Sequence, residues 1–222
     1  MVRVQPLVLP GVYAPQDDTA LLAGALAEEP LAPGSDVLDV GTGTGALALQ
    51  AARRGTRVTA VDVSWRAVFA ARLNARRERL PVRVRRGNLF TPVHGRSFDL
   101  ILSNPPYMPV ASAPGCSGPR GPARAWDAGR DGRLLLDRIC REAPGLLRPG
   151  GVLLLVHSAL SDPASTLAFL RASGLKASVT RRRRVPFGPV VRAREDWLRT
   201  RGLLSAEEKN EELVVVRAEL PR

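Results

Sequence analysis

Lysine is nearly absent: Lys176 and Lys209 are the only two in 222 residues, so arginine supplies 31 of the 33 basic side chains. Against 21 acidic residues this leaves a formal net charge of +12, a balance that draws polyanions. The same arginine bias, alongside plentiful Ala, Gly and Pro, is what a GC-rich genome imposes, and the two explanations weigh equally at this point. Cysteine is scarce. Cys116 and Cys140 cannot build a disulfide framework, and neither has the C-x-x-C spacing or the histidine neighbours of a zinc site. His94 and His157 stand alone in sequence and read as structural. No apolar run approaches the ~20 residues needed to cross a bilayer. The opening stretch MVRVQPLVLPGVYAPQ is broken by Pro6, Pro10 and Pro15 before a signal-peptide core can form. A cytoplasmic protein with one sizeable core and no membrane partner is expected.

Short apolar runs then alternate with helical patterns: SDVLDVG, GALALQAARRG, TRVTAVDV, WRAVFAARLNARRERL, PVRVRRG and SFDLILSNPP. That alternation predicts an α/β fold whose mostly parallel sheet carries helices on both faces. Beyond a Gly/Pro-rich stretch from Met108 to Arg124, DGRLLLDRICREAPGLL is apolar at helical spacing through Leu134, Leu135, Ile139 and Leu147. A buried strand, GGVLLLVHS, follows. The segment DPASTLAFLRASG reads as a helix closed by Gly174, and KASVTRRRRV and EELVVVRAEL read as a final antiparallel pair of strands. Near the N-terminus, DDTALLAGAL reads as a helix capped by Asp17 or Asp18, with Ala20, Leu21, Leu22 and Leu26 on its buried face.

Two sites of chemistry stand at predicted strand ends. Asp39 closes the first strand, and Gly41, Gly43 and Gly45 follow it in DVGTGTGALAL, immediately before a helix. Glycines at that position let backbone N–H groups at a helix N-terminus approach a ligand closely. The second strand ends in Asp62, with Val63 after it, which is where a ribose diol needs a carboxylate acceptor. The glycines alone would also pass for a dinucleotide-binding turn. The fourth strand runs into SNPPYMP, at the carboxyl end of the sheet. Pro105 and Pro106 stiffen the chain and remove two N–H donors, leaving carbonyls free beside the Asn104 amide oxygen. These acceptors can take two hydrogen bonds from an NH₂ group and aim its lone pair at an electrophilic carbon, while Tyr107 offers a flat face for packing. An amide nitrogen has no easily removed proton, so alignment must do much of the work.

The G-x-G-x-G spacing behind Asp39 is similar to motif I of class I S-adenosylmethionine (AdoMet) methyltransferases, and Asn-Pro-Pro-Tyr resembles the motif of their amino-methyltransferase branch. The nearer resemblance is to HemK-type protein-glutamine N-methyltransferases, which modify translation release factors. It also rests on VYAPQDDTALLAGAL, and on AWDAGRDGRLLLDRI, which looks like the family's GG-x-DG stretch. The resemblance implies a Rossmann-like seven-stranded sheet, mostly parallel with an antiparallel terminal strand. It implies that Tyr13, Asp18, Thr19, Asp39, Gly41, Gly43 and Gly45 surround the cofactor's methionine end, that Asp62 and Val63 face its ribose side, and that Asn88 and Leu89 face its adenine. Asn104, Pro105, Pro106 and Tyr107 then hold the acceptor. Two departures are Asn88, where the family often has Asp, and Ala128, where it commonly has Gly. With 38 residues before Asp39, the resemblance implies one domain over 1–222, with 1–35 as a helical cofactor lid and no separate substrate domain. This is the arrangement of the short, stand-alone branch, which often works with a small zinc-binding activator subunit.

Two other functions use the same letters. An N6-adenine or N4-cytosine methyltransferase of DNA or RNA presents the same tetrapeptide to a flipped base, and a catalytically silent AdoMet fold could serve as a binding module. Neither a target-recognition domain nor damage to NPPY is seen in the sequence. Arg181 to Arg184 would alternate faces in a strand, so two at most share a surface, either as a solvated edge or as a contact with ribosomal or nucleic-acid phosphate.

Overall fold

The computed structural model describes residues 6–110 and 128–222. Cys116 and most of the Gly/Pro-rich stretch lie outside them. Helix α1 (Asp17–Glu28) precedes β1 (Asp36–Val40), α2 (Ala46–Ala52), β2 (Arg57–Asp62), α3 (Trp65–Arg77), β3 (Val82–Arg86) and β4 (Phe98–Ser103). Then come α4 (Leu134–Glu142), β5 (Leu147–Ser158), α5 (Pro163–Ala172), β6 (Lys176–Pro186), α6 (Pro189–Arg192), α7 (Glu195–Thr200) and β7 (Asn210–Glu219). Strands β1 to β5 pair in parallel, and the sheet order is β3-β2-β1-β4-β5-β7-β6. The expected antiparallel last strand is β7, but it lies inside the sheet between β5 and β6, so the arginine-rich β6 forms the edge.

Period-two alternation along the central strands feeds two cores. Leu100 and Leu102 of β4 pack with Leu22, Leu26, Leu47 and Val68 from α1, α2 and α3 on one face. Ile101 packs with Leu136, Ile139 and Leu170 from α4 and α5 on the other. Side-chain detail corrects the sequence reading at several points. Leu134 is exposed, Leu147 belongs to β5, and the buried stripe of α4 is Leu136, Ile139 and Cys140. Ala20 is exposed while Ala25 is buried, and the α1 cap is Gln16; Asp17 and Asp18 sit in the first turn. Cys140 is the buried structural thiol expected, burial pushing it up to about 12. His157 is equally enclosed, and desolvation lowers it to about 4.

Residues 187–209, which carry no clear periodicity, form a small satellite core in which Phe187, Val191, Leu198 and Leu204 cover Met108. The pattern was invisible because α6 and α7 span less than two turns each.

The arginine run has a local cause for its orientation. The β6 ladder slips between Val179 and Arg181, so Thr180 is an extra residue and the faces exchange there. Ala177 and Val179 pack on the α5 side, whereas Val185 joins the α1 side. Arg181 pairs with Glu28, and Arg183 reaches Asp17 at 3.3 Å, both on α1; Arg182 pairs across the ladder with Glu212 at 2.6 Å. Three of the four arginines are thus neutralised within the chain, and two of them clamp α1 onto the sheet edge.

Phe98 is fully buried where β4 begins. Phe98→Ala should cost ~3–5 kcal/mol in urea unfolding, and a loss under ~1 kcal/mol would contradict this packing.

Candidate active site

The strand order reverses between β1 and β4, and an open parallel sheet splays its loops apart at such a point. Val40 pairs with Ser103, the last residue of each strand, and the Ser103 hydroxyl donates to the Val40 carbonyl at 2.9 Å. The glycine turn and the Asn104 segment therefore leave the sheet side by side: a Cβ added to Gly41 would lie 3.8 Å from the Asn104 carbonyl oxygen. Gly41 and Thr42 both donate their N–H groups to the Val61 carbonyl, at 2.9 and 3.0 Å. Gly45 starts α2 at φ +84°, and a Cβ there would stand 3.2 Å from that of Ala71, so glycine lets α2 close on α3.

Asp39 lies buried beneath this turn. Its Oδ2 accepts from the Thr42 hydroxyl at 2.6 Å and the Ala48 N–H at 3.1 Å, while Oδ1 is buried with no partner in the chain. Burial pushes its carboxyl up to about 6, against the pull of those two donors. Asp62, at the end of β2, accepts from the Gly43 N–H at 3.0 Å and the Ser64 N–H at 2.8 Å, with Val63 exposed next to it. Beyond β3, Asn88 is exposed and its Oδ1 accepts from Arg138 at 3.3 Å. Leu89 is buried at φ +47°, a left-handed conformation that costs energy for a side chain with a Cβ.

The N-terminal segment closes the other side. Tyr13 and Tyr107 both donate their hydroxyls to one oxygen of buried Asp18, at 2.7 and 3.0 Å. Next to it, the Asn104 amide NH₂ donates to the Thr19 hydroxyl at 3.2 Å. A Cβ on Gly43 would lie 3.8 Å from the Tyr13 carbonyl, which brings this segment against the glycine turn as well. Desolvation first, and then the Asp18 charge, raises both phenols, so they stay protonated. Tyr13, Asp18, Thr19, Asn104 and Tyr107 are thus joined by hydrogen bonds beside the glycine turn, into which Asp39 and Asp62 also bond, while Leu89 packs in the core with Val40 and Val61 and Asn88 meets Arg138.

Several supports were missed. Ser161 donates to the Tyr107 carbonyl at 2.5 Å, and a Cβ on Gly132 would sit 2.2 Å from that same oxygen. Gly132 is therefore obligatory behind the NPPY segment; its signal was the Asp-Gly pair of RDG. Arg133 ties this wall down by donating to the Ser161 and Asp162 carbonyls at 2.6 and 2.7 Å, with Asp137 2.7 Å away. Glu211, at the start of β7, is buried with Oε1 unpartnered, and desolvation raises its carboxyl. In sequence it is only one of several acids preceding an apolar run.

Comparison with known proteins agrees with this architecture. The family described as the methyltransferase small domain matches residues 5–112. A protein of Methanocaldococcus jannaschii that bears the name "Putative protein N5-glutamine methyltransferase" is 35% identical over 179 residues, 80% of this chain and 88% of that one. The release factor glutamine methyltransferase of Deinococcus radiodurans is 40% identical over 170 residues, but this chain covers 57% of its length, and little more than half of several bacterial relatives of that name. Among solved structures, the E. cuniculi Mtq2–Trm112 complex, which methylates the eRF1 termination factor, shares the fold with a TM-score of 0.66 and 24% identity over 94% of this chain and 98% of that one. Motifs, sheet order and these relatives lead to one conclusion: the chain belongs to the protein-glutamine methyltransferase family of class I AdoMet-dependent methyltransferases.

Proposed function

We propose that this protein transfers a methyl group from AdoMet to the side-chain amide nitrogen of a glutamine in a translation protein, a release factor first among them, and that it works in the cytoplasm. The observation that carries this reading is the Thr19 to Asn104 hydrogen bond set beside the glycine turn. Because Thr19 takes the Asn104 NH₂, the amide is oriented with Oδ1 as its unused acceptor. Asn104 Oδ1 and the Pro105 carbonyl then receive the two hydrogens of a glutamine NH₂, Pro106 keeps the segment rigid, and the Tyr107 ring packs over the flat amide. A single domain over 1–222, with 1–35 as its lid, supplies all of these groups. The Mtq2–Trm112 likeness supports a small partner subunit for this chain too.

The residues present fit AdoMet. Asp39 Oδ1 is a buried acceptor awaiting a donor from outside the chain, and the turn beside it has no Cβ at Gly41, Gly43 or Gly45. Tyr13, Asp18, Thr19 and Asp39 would hold the methionine end, Asp62 with Val63 the ribose side, and Asn88 with Leu89 the adenine. Bound AdoMet supplies an electrophilic methyl carbon on a sulfonium. The chain would contribute alignment: with the amide held by Asn104 and Pro105, its nitrogen would form the new N–C bond as the S–C bond breaks, and the surplus N–H proton would pass to solvent. Tyr107 cannot serve as a base, since its phenol is held protonated.

Asn104→Ala should lower kcat by ~10²-fold or more while AdoMet affinity stays within about threefold. Labelled methyl transfer from AdoMet into cell protein, mapped by mass spectrometry, is the measurement. Label on glutamine that disappears in the variant supports the proposal; label on lysine, arginine or nucleic acid, or unchanged turnover, overturns it. The raised Asp39 carboxyl gives a second outcome. Its neutral form persists up to about pH 6, and the cofactor's cationic end prefers the ionised form. Affinity by calorimetry should therefore be flat above pH 6 and fall up to about tenfold per unit below it. Asp39→Asn should bind weakly at every pH with that dependence gone.

A further inference from the structure

Between Trp65 and Arg96 the chain carries nine arginines and one acidic residue, Glu78, which Arg53 occupies at 2.5 Å. These residues make α3 and the edge strand β3, on the opposite border of the sheet from the arginine run of β6. Trp65, Phe69, Arg72 and Arg76 fall at i, i+4, i+7 and i+11, one stripe of the helix, and all four are exposed. Trp65 is 60% and Phe69 56% accessible, large values for aromatic side chains. Arg72 and Arg76 continue the stripe into a groove between α3 and β3, whose opposite wall carries Arg83 beside Pro81. Arg72 donates to the Val84 carbonyl at 2.9 Å, which fixes its position and leaves its charge uncompensated. Among the described residues no carboxylate pairs with Arg72, Arg76 or Arg83.

We propose that this α3–β3 face binds single-stranded RNA. Phosphates would run along the groove over Arg72, Arg76 and Arg83, while unpaired bases stack on Phe69 and Trp65. Interleaved aromatic faces and guanidinium groups are what a flexible strand needs: a π surface accepts any base, and the cations follow the backbone. An acidic polypeptide would use the arginines and leave the two aromatic rings exposed. A duplex would hide its base faces from them. The choice of RNA over DNA rests on the translation substrate proposed above, since the partners of such proteins are built on RNA. Binding needs no methyl transfer, so failure of one reading leaves the other measurable.

The test is fluorescence anisotropy with a labelled mixed-sequence RNA of about 12 nucleotides, followed by ultraviolet cross-linking in cells. The double variant Arg76→Glu/Arg83→Glu should weaken binding at least tenfold and flatten its salt dependence, and Phe69→Ala should weaken it about threefold to tenfold. A control of equal charge change on exposed residues elsewhere, Arg192→Glu/Arg201→Glu, should stay within about twofold. Unchanged AdoMet affinity verifies that each variant is folded. In cells, the cross-linked material should be destroyed by ribonuclease and absent from the Arg76/Arg83 variant. The proposal is overturned by absence of binding at physiological salt, by an equal loss in the control pair, by polyglutamate displacing the strand as well as unlabelled RNA does, or by cross-links sensitive to deoxyribonuclease alone.

Discussion

One ladder contact organises the site: the pairing of Val40 with Ser103, sealed by the serine hydroxyl on the valine carbonyl. A parallel sheet that grows outward in both directions from β1 and β4 must leave a crevice between the loops that follow them. Here one loop is a turn made of glycines, able to approach a ligand with its backbone. The other is a turn made of prolines, with carbonyls to offer and few donors. The two turns come within a few ångströms of each other because two strands end at the same rung.

Helix α1 is secured by charge. Glu28 and Asp17 of α1 meet Arg181 and Arg183, and they can do so only because the extra residue at Thr180 exchanges the faces of β6. Glu29, just past α1, meets Arg217 of β7 at 2.7 Å. Composition alone treats these arginines as candidates for an external polyanion. Position separates them: three of the four β6 arginines are taken up by Glu28, Asp17 and Glu212, while the α3–β3 arginines have no carboxylate partner among the described residues. The formal charge of +12 is thus concentrated on one border of the sheet.

Sequence order predicted what depends on local spacing. Asp39 with the glycine turn, Asp62 at a strand end and Asn104 to Tyr107 after a buried strand were legible, because each is a short motif at the end of an apolar run. Contacts across long separations were not. That Asp18 serves two tyrosines, one of them 89 residues away, follows from folding and not from any spacing rule, and it displaced the simpler reading of Asp18 as a helix cap. Glu211 likewise lies far in sequence from the groups around it. Leu134 fitted the helical period but faces solvent, since a period fixes which residues share a stripe and leaves open where the stripe's edge falls.

Helix α1 also has a place in time. Helix α1 emerges from the ribosome before any strand of the sheet, yet the charged partners that fix it stand on β6 and β7, the last two strands of that sheet in chain order. During synthesis the apolar face of α1 can settle early, since Leu22 and Leu26 pack with Leu47 of α2 and with Leu100 and Leu102 of β4, whereas the ion pairs that clamp its acidic residues must wait for β6 and β7. Such ordering raises contact order and slows the final step of folding. Until those pairs form, the Thr19 to Asn104 hydrogen bond rests on a helix held by its apolar face alone. The charge clamp on α1 is therefore completed late, after the strands that carry the glycine turn and the Asn104 segment are already in the chain.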